Sequence, residues 1–275
     1  YFLNILDKSI VNESIIIFVI GFTFAFFVGL VDDILHINPQ KKLFIITFFN
    51  ILLFQNVVFF QTNILIFKNN FFSLELGIVS LALIFSILSF LAYHYSLSIL
   101  DGINGIFGTY SVCFLIILLL FFEMKIELYN FIFYLILYLS FVTLLNFKNK
   151  LFFGNSGSLM LAALFPYLIL YLNNQRYNSI YSLSYLSLVA IPILDMIRLF
   201  CIRITNRKSP FSKDLNHFHH LLFKRYQLFF TILIYVSLSF LPFIFIQVIN
   251  IDALIALIVQ FICFFSGAYY LSRKN

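Results

Sequence analysis

Apolar runs of about 20 residues recur along this chain, the length that crosses a hydrocarbon core ~30 Å thick. Nine can be drawn, over residues 14–31, 43–60, 74–92, 106–122, 129–147, 158–172, 183–200, 228–249 and 253–271. The 275 residues are 63% hydrophobic and 10% charged. Soluble domains run roughly 45–50% apolar and about 25% charged, so a soluble fold is excluded. The expected fold class is all-α: a polytopic integral membrane helical bundle of about nine transmembrane helices. No polar stretch is long enough to build a separate soluble core, so residues 1–275 are expected to form a single transmembrane domain.

Positive charge sets the expected orientation. With this threading, 13 of the 17 Lys and Arg residues fall on the side that carries the histidines. Lys8, Lys68, Lys125 and Arg176 fall on the other side. The histidine side is therefore read as cytoplasmic. All five histidines and Asp32, Asp33, Asp101, Asp195 and Asp214 lie there too, so polar chemistry converges on one face from separate loops. The net charge of +6 is accounted for by this topology, and no nucleic-acid partner is expected. Cys113, Cys201 and Cys263 have neither metal-type nor disulfide spacing and read as small packing residues.

Five constellations stand out. Asp32 and Asp33 close the first run at a helix C-terminus, where the macrodipole disfavours anions. They read as a metal-binding or proton-accepting pair, against a merely solvated helix end. Asp101-Gly102-Ile103-Asn104-Gly105 is a tight turn that a ligand could approach, or an ordinary interhelical turn. Gly154-Asn155-Ser156-Gly157-Ser158 leads into a helix N-terminus, a natural anion cradle or a simple cap. Asp195 and Arg198, three apart, can pair with each other or contact a ligand. His217, His219 and His220 lie among Arg198, Arg203, Arg207, Lys208, Lys213, Lys224 and Arg225. No thiol or fourth imidazole stands nearby for zinc, so phosphate binding suits them better. Few ionisable residues fall in mid-span, which speaks against a transporter.

In this order, the motifs resemble those of the polyprenyl-phosphate N-acetylhexosamine-1-phosphate transferases, glycosyltransferase family 4. Gly29-Leu30-Val31-Asp32-Asp33 with Asn38-Pro39-Gln40-Lys41-Lys42-Leu43 looks like the family's aspartate-pair loop. Asp101 to Gly105 looks like its Asp-Gly turn, and Phe153 to Ser158 like its Gly-Asp-x-Gly-Ser turn. Pro192 to Arg198 and Ser209-Pro210-Phe211 through His220 complete the set. The His-x-His-His form resembles the undecaprenyl-phosphate GlcNAc-1-phosphate transferase branch.

That resemblance implies transfer of a sugar-1-phosphate, GlcNAc-1-phosphate first, from a UDP-N-acetylhexosamine to undecaprenyl phosphate, with release of UMP. It implies the bacterial inner membrane, a cytoplasmic active site, and a first step in cell-envelope polysaccharide synthesis such as lipopolysaccharide. It implies Mg2+, with Mn2+ as a substitute, and admits a homodimer. Asp32 and Asp33 would be catalytic, positioning metal and lipid phosphate, with one of them accepting its proton. Asp32, Asp33 and Asn155 would be the metal set. Lys42, His217, His219, His220, Arg207 and Lys208 would hold phosphates and sugar, while Asp101 and Asn104 would shape the nucleotide pocket.

Three departures are visible. Asn155 stands where the family has a magnesium-binding aspartate, and an amide is a poorer ligand for a hard dication. Tyr95 and Ser98 replace the usual Asn-x-x-Asn. The family's first helix and early basic loop have no counterpart, so the chain opening at Tyr1 is expected to be N-terminally incomplete. A relative that binds lipid phosphate or nucleotide sugar without turnover therefore stays open as a second reading.

Overall fold

The structure is a computed structural model that describes residues 13–55, 65–68, 73–76, 79–173, 182–212 and 214–273. Tyr1, Lys8, Arg176, Lys213 and residues 56–60 of the second predicted run lie outside them. The chain forms α1 (Glu13–Leu35), α2 (Pro39–Gln55), a hairpin of β1 (Leu65–Lys68) and β2 (Ser73–Leu76), and α3 (Val79–Ser98). After a short turn of helix at Leu100–Gly102 come α4 (Ile106–Phe121), α5 (Ile126–Phe147), α6 (Gly154–Asn173) and α7 (Ser182–Thr205). The eight-residue α8 (Phe218–Arg225) leads to α9 (Leu228–Ile249) and α10 (Ala253–Arg273). Among the described residues, nine helices of 16 to 24 residues overlap the nine predicted runs. Four stretches of the described residues, Ile126–Phe147, Leu183–Thr205, Leu228–Ile249 and Ala253–Arg273, are long and apolar enough to cross a membrane.

The outer surface agrees with that reading. Large apolar side chains such as Phe27, Leu120, Tyr134 and Phe229 stand 60 to 71% exposed, which water would penalise and lipid would not. The interior holds polar ties between helices. Tyr93 Oη lies 3.0 Å from Tyr110 Oη, and Tyr110 donates to the Leu188 carbonyl at 3.2 Å, joining α3, α4 and α7. Gln260 Nε2 on α10 donates at 3.0 Å to the carbonyls of Ser187 on α7 and Leu238 on α9. In lipid, such bonds supplement the packing that holds helices together. The protein is an integral membrane protein.

Local signals set the helix ends that matter. Asn38 Oδ1 accepts from the Gln40 N–H at 2.9 Å, and Pro39 takes the first position of α2, where a missing N–H costs nothing. His36, with φ 50°, stops α1, and its N–H donates to the Asp32 carbonyl at 2.9 Å. Packing then runs α1 along α6, α3 beside α6, α4 against α5, and α7 with α9 and α10.

Three expectations need correction. The third predicted run begins at residue 74, but Ser73–Leu76 is a strand paired antiparallel with Leu65–Lys68, Leu65 opposite Leu76. The fold is thus all-α apart from one hairpin, in a stretch where Ile66 and Phe67 favour extended backbone. The helix of the third run starts at Val79 and continues to Ser98. At the polar face, helices overrun their apolar stretches: α1 includes Asp32 and Asp33, α6 begins at Gly154, and α7 continues to Thr205. Apolarity marks where lipid is, whereas a helix continues until a cap stops it.

Candidate active site

Asp33 lies in the last turns of α1, yet both its oxygens face the start of α6. Oδ1 accepts from the Asn155 backbone N–H at 2.8 Å and from Asn155 Nδ2 at 2.9 Å, and Oδ2 accepts from the Ser156 N–H at 3.0 Å. The anion cradle expected at residues 153–158 is therefore occupied by the protein's own carboxylate, and the C-terminus of one helix meets the N-terminus of another. Partial burial works against the Asp33 charge, but the amides of Asn155 and Ser156 outweigh it and hold the carboxyl below its usual range. Two glycines permit this approach. A Cβ on Gly29 would strike the backbone of Asn155 and Ser156, and one on Gly154, at φ +66°, would sit 2.9 Å from Asp33 Oδ2.

Asp32, 6% exposed, turns the other way and pairs with Lys42 Nζ at 2.9 Å. The pair ties α1 to α2, so Lys42 already has a carboxylate partner beside the site. Asp101, half-buried in the turn after α3, is pushed up to about 7 by burial and then by the negative charge of Asp33. The next residue, Gly102, brings this turn against the histidines. A Cβ there would lie 2.8 Å from His220 Nε2 and 3.4 Å from His219 Nε2. Asp32, Asp33, Asn155, Asp101 and the histidines thus form one continuous cluster at one end of the bundle.

The histidines sit at the start of α8, a helix the apolar pattern does not mark. The rings of His217 and His219 stack at 5.7 Å, and those of His219 and His220 approach to 4.4 Å. His219 is fully buried, and neither ring nitrogen has a hydrogen-bond partner among the described residues. Burial, with the neighbouring His220 second, lowers its pKa to about 3, so the ring is neutral. Burial and the charge of His217 also lower His220. Asp195, on α7, pairs with Arg198 at 2.8 Å, as the spacing of three allows, and also reaches His217 Nδ1 at 3.0 Å. Arg203, one of the basic residues around the histidines, pairs with Asp214 at 2.9 Å and donates to the Pro210 carbonyl at 2.6 Å.

Not every nominated residue joins the cluster directly. Asn104 Nδ2 donates to Asn149 Oδ1 at 2.6 Å, which ties its turn to the α5–α6 connection. Arg207 and Lys208 are exposed in the turn after α7, and their side chains make no hydrogen bond or ion pair among the described residues. Lys213 lies outside those residues. Asn146, buried at the end of α5, belongs to none of the five sequence constellations. Its Oδ1 accepts from the Gly105 N–H at 2.6 Å and its Nδ2 donates to the Leu151 carbonyl at 2.8 Å, clamping the Asp101 turn. An amide at the inner end of an apolar run was the available signal.

Among the described residues, no three His, Cys, Asp or Glu side chains form a group able to hold a metal ion by themselves. The donors fit a different kind of site, in which one or two carboxylates share a magnesium ion with substrate phosphates. Asp33 stays exposed, Asn155 Oδ1 makes no hydrogen bond among the described residues while its Nδ2 faces Asp33, and Asp101 feels the negative charge of Asp33. A cation there would relieve that repulsion.

A sequence profile described as glycosyl transferase family 4 matches residues 15–173. The chain belongs to this family. The match covers Asp32, Asp33, Asp101 and Asn155 and ends before the histidines, whose place at the site rests on geometry. This family 4 chain is similar to the undecaprenyl-phosphate alpha-N-acetylglucosaminyl 1-phosphate transferase of Escherichia coli (strain K12), at 29% identity over 134 residues, 46% of this chain and 36% of that relative. The Salmonella typhi protein of the same name is 32% identical over 77 residues, 28% of this chain and 21% of that relative. The Haemophilus influenzae protein is 31% identical over 75 residues, 27% of this chain and 21% of that relative. The chain therefore spans well under half the length of these relatives. None of these names supports a binding protein without turnover.

Proposed function

We propose that this chain transfers N-acetylglucosamine-1-phosphate from UDP-GlcNAc to undecaprenyl phosphate at the cytoplasmic face of a bacterial inner membrane. An oxygen of the lipid phosphate forms a bond to the β-phosphorus of the nucleotide sugar. The bond from that phosphorus to the oxygen bridging it to the α-phosphorus breaks, and UMP leaves. The product would begin a cell-envelope polysaccharide. All nine long helices would cross the bilayer, with the positive ends of the loops inside.

One observation carries this reading: Asp33, Asn155, Asp101, His219 and His220 meet at one end of the bundle from four separate segments of chain. Phosphoryl transfer asks a protein mainly for positioning and for neutralisation of charge on oxygen, and this cluster is suited to both. Asp33 and Asn155, with Asp32 beside them, would hold Mg2+, or Mn2+ in its place. The ion would neutralise phosphate oxygens as charge develops. Lys42, fixed by Asp32, would present its remaining N–H groups to the lipid phosphate. His217 and His220 would donate to the diphosphate, with Arg207 and Lys208 supplying positive potential at the rim. Asp101 and Asn104 would border the nucleotide.

The test is UMP release from UDP-GlcNAc in membranes holding the chain, undecaprenyl phosphate and Mg2+. Wild-type protein should release UMP, and Asp33→Asn and Asp32→Asn should each lose at least about 100-fold, the scale of a lost charge-stabilising group. Absence of release from the wild type with any UDP-N-acetylhexosamine would refute the proposal.

A further inference from the structure

Asp195 is 3% exposed, and its carboxylate accepts from three residues. Arg198 donates to Oδ1 from Nη2 at 2.8 Å and from Nε at 3.3 Å. The Phe218 N–H lies 3.0 Å from both oxygens, and His217 Nδ1 lies 3.0 Å from Oδ2. Arg198 Nη2 also donates to the Asn216 carbonyl at 2.6 Å. Asp195 thus caps α8 from another helix, as Asp33 caps α6. It differs in also gripping an imidazole that belongs to the site.

That grip has a chemical consequence. A carboxylate can only accept, so the nitrogen facing it must carry the proton, and this fixes which ring nitrogen is left for other work. Nε2 of His217 makes no hydrogen bond among the described residues. We propose that Asp195 is a positioning residue for His217: it holds the proton on Nδ1, fixes the ring plane, and leaves Nε2 directed to an anionic oxygen of the substrate. When that oxygen arrives with its charge, Nε2 takes a proton from solvent and donates it to the oxygen, while the Asp195 carboxylate faces the charge left on the ring. Arg198 keeps Asp195 ionised and in place, and completes the relay from α7 to the histidine segment. This rests on the transferase reading for the identity of the anion, but the Asp195–His217 relation can be tested without turnover.

The chain has five histidines, few enough for each ring to be followed by nitrogen NMR on ring-15N-labelled protein in micelles. His217→Gln assigns the His217 signal by its loss. At pH 9 the wild-type ring should show a protonated Nδ1 and a bare Nε2. Asp195→Asn, which offers a neutral and weaker acceptor, should shift population toward the Nε2–H form. A wild-type ring protonated on Nε2 overturns the proposal even if every Asp195 variant fails to fold. Kinetically, Asp195→Asn should lower kcat for UMP release about 100-fold with KM for UDP-GlcNAc changed less than about threefold, and move the pH profile. An unchanged tautomer and pH profile in Asp195→Asn would leave Asp195 a purely structural anchor and overturn the assignment. If the wild type releases no UMP while the tautomer behaves as expected, the transferase reading fails and the positioning relation stands.

Discussion

Asp33 and Asn155 lie 122 positions apart, yet Asp33 Oδ1 accepts both the backbone and the side-chain N–H of Asn155, at 2.8 and 2.9 Å. The amide that looked like a lost metal ligand is a hydrogen-bond donor to the neighbouring carboxylate. Asn155→Asp would replace that donor with a second negative charge. The variant should melt at a lower temperature than wild type in chelator and recover with millimolar Mg2+, by more than wild type gains. Equal Mg2+ responses in a detergent thermal melt would count against a cation position between these residues.

Gly29 sets how closely α1 approaches α6. Gly29→Ala should force the two helices apart and cost about 1–3 kcal/mol, the usual range for overpacking. Gly267→Ala is the control, because its Cβ would meet Phe218 at an ordinary 3.5 Å. Denaturation of both variants in one detergent checks this, and similar losses would mean that α1 tolerates displacement.

Burial of neutral His219 predicts an acid-sensitive fold. Unfolded, the ring takes up a proton near its ordinary 6.5, whereas folded it does so only near about 3. Between those values the unfolded state binds the extra proton, so stability falls as pH drops from 6.5 toward 3. His219→Gln should flatten this dependence. Melting temperatures from pH 7.5 to 5 should decline more steeply in wild type, and parallel slopes would exclude His219 as the cause.

Asn146 clamps the turn that carries Asp101. Asn146→Ala leaves the Gly105 N–H and the Leu151 carbonyl without that partner and should cost about 1–3 kcal/mol. Loosening of the turn should also raise KM for UDP-GlcNAc more than it lowers kcat. A variant as stable as wild type, with unchanged KM, would show that the turn holds itself.

The sequence by itself determined the membrane class, the approximate positions of the long helices and the end of the bundle where polar residues gather, because lipid tolerates few arrangements and a long apolar run suits a helix. It also pointed to the aspartates, the Asp101 turn and the histidines, since such groups are costly beside lipid without a role. Partnership was decided only by tertiary structure. That Asp33 caps α6, that Asp32 pairs with Lys42, and that Asp195 serves His217 as well as Arg198 all depend on helix ends meeting across long separations. A carboxylate carries no mark in sequence of which distant donor will satisfy it. The helix α8 and the Asn146 clamp were hidden for a related reason: a short amphipathic turn and a single amide gain meaning only from what packs against them.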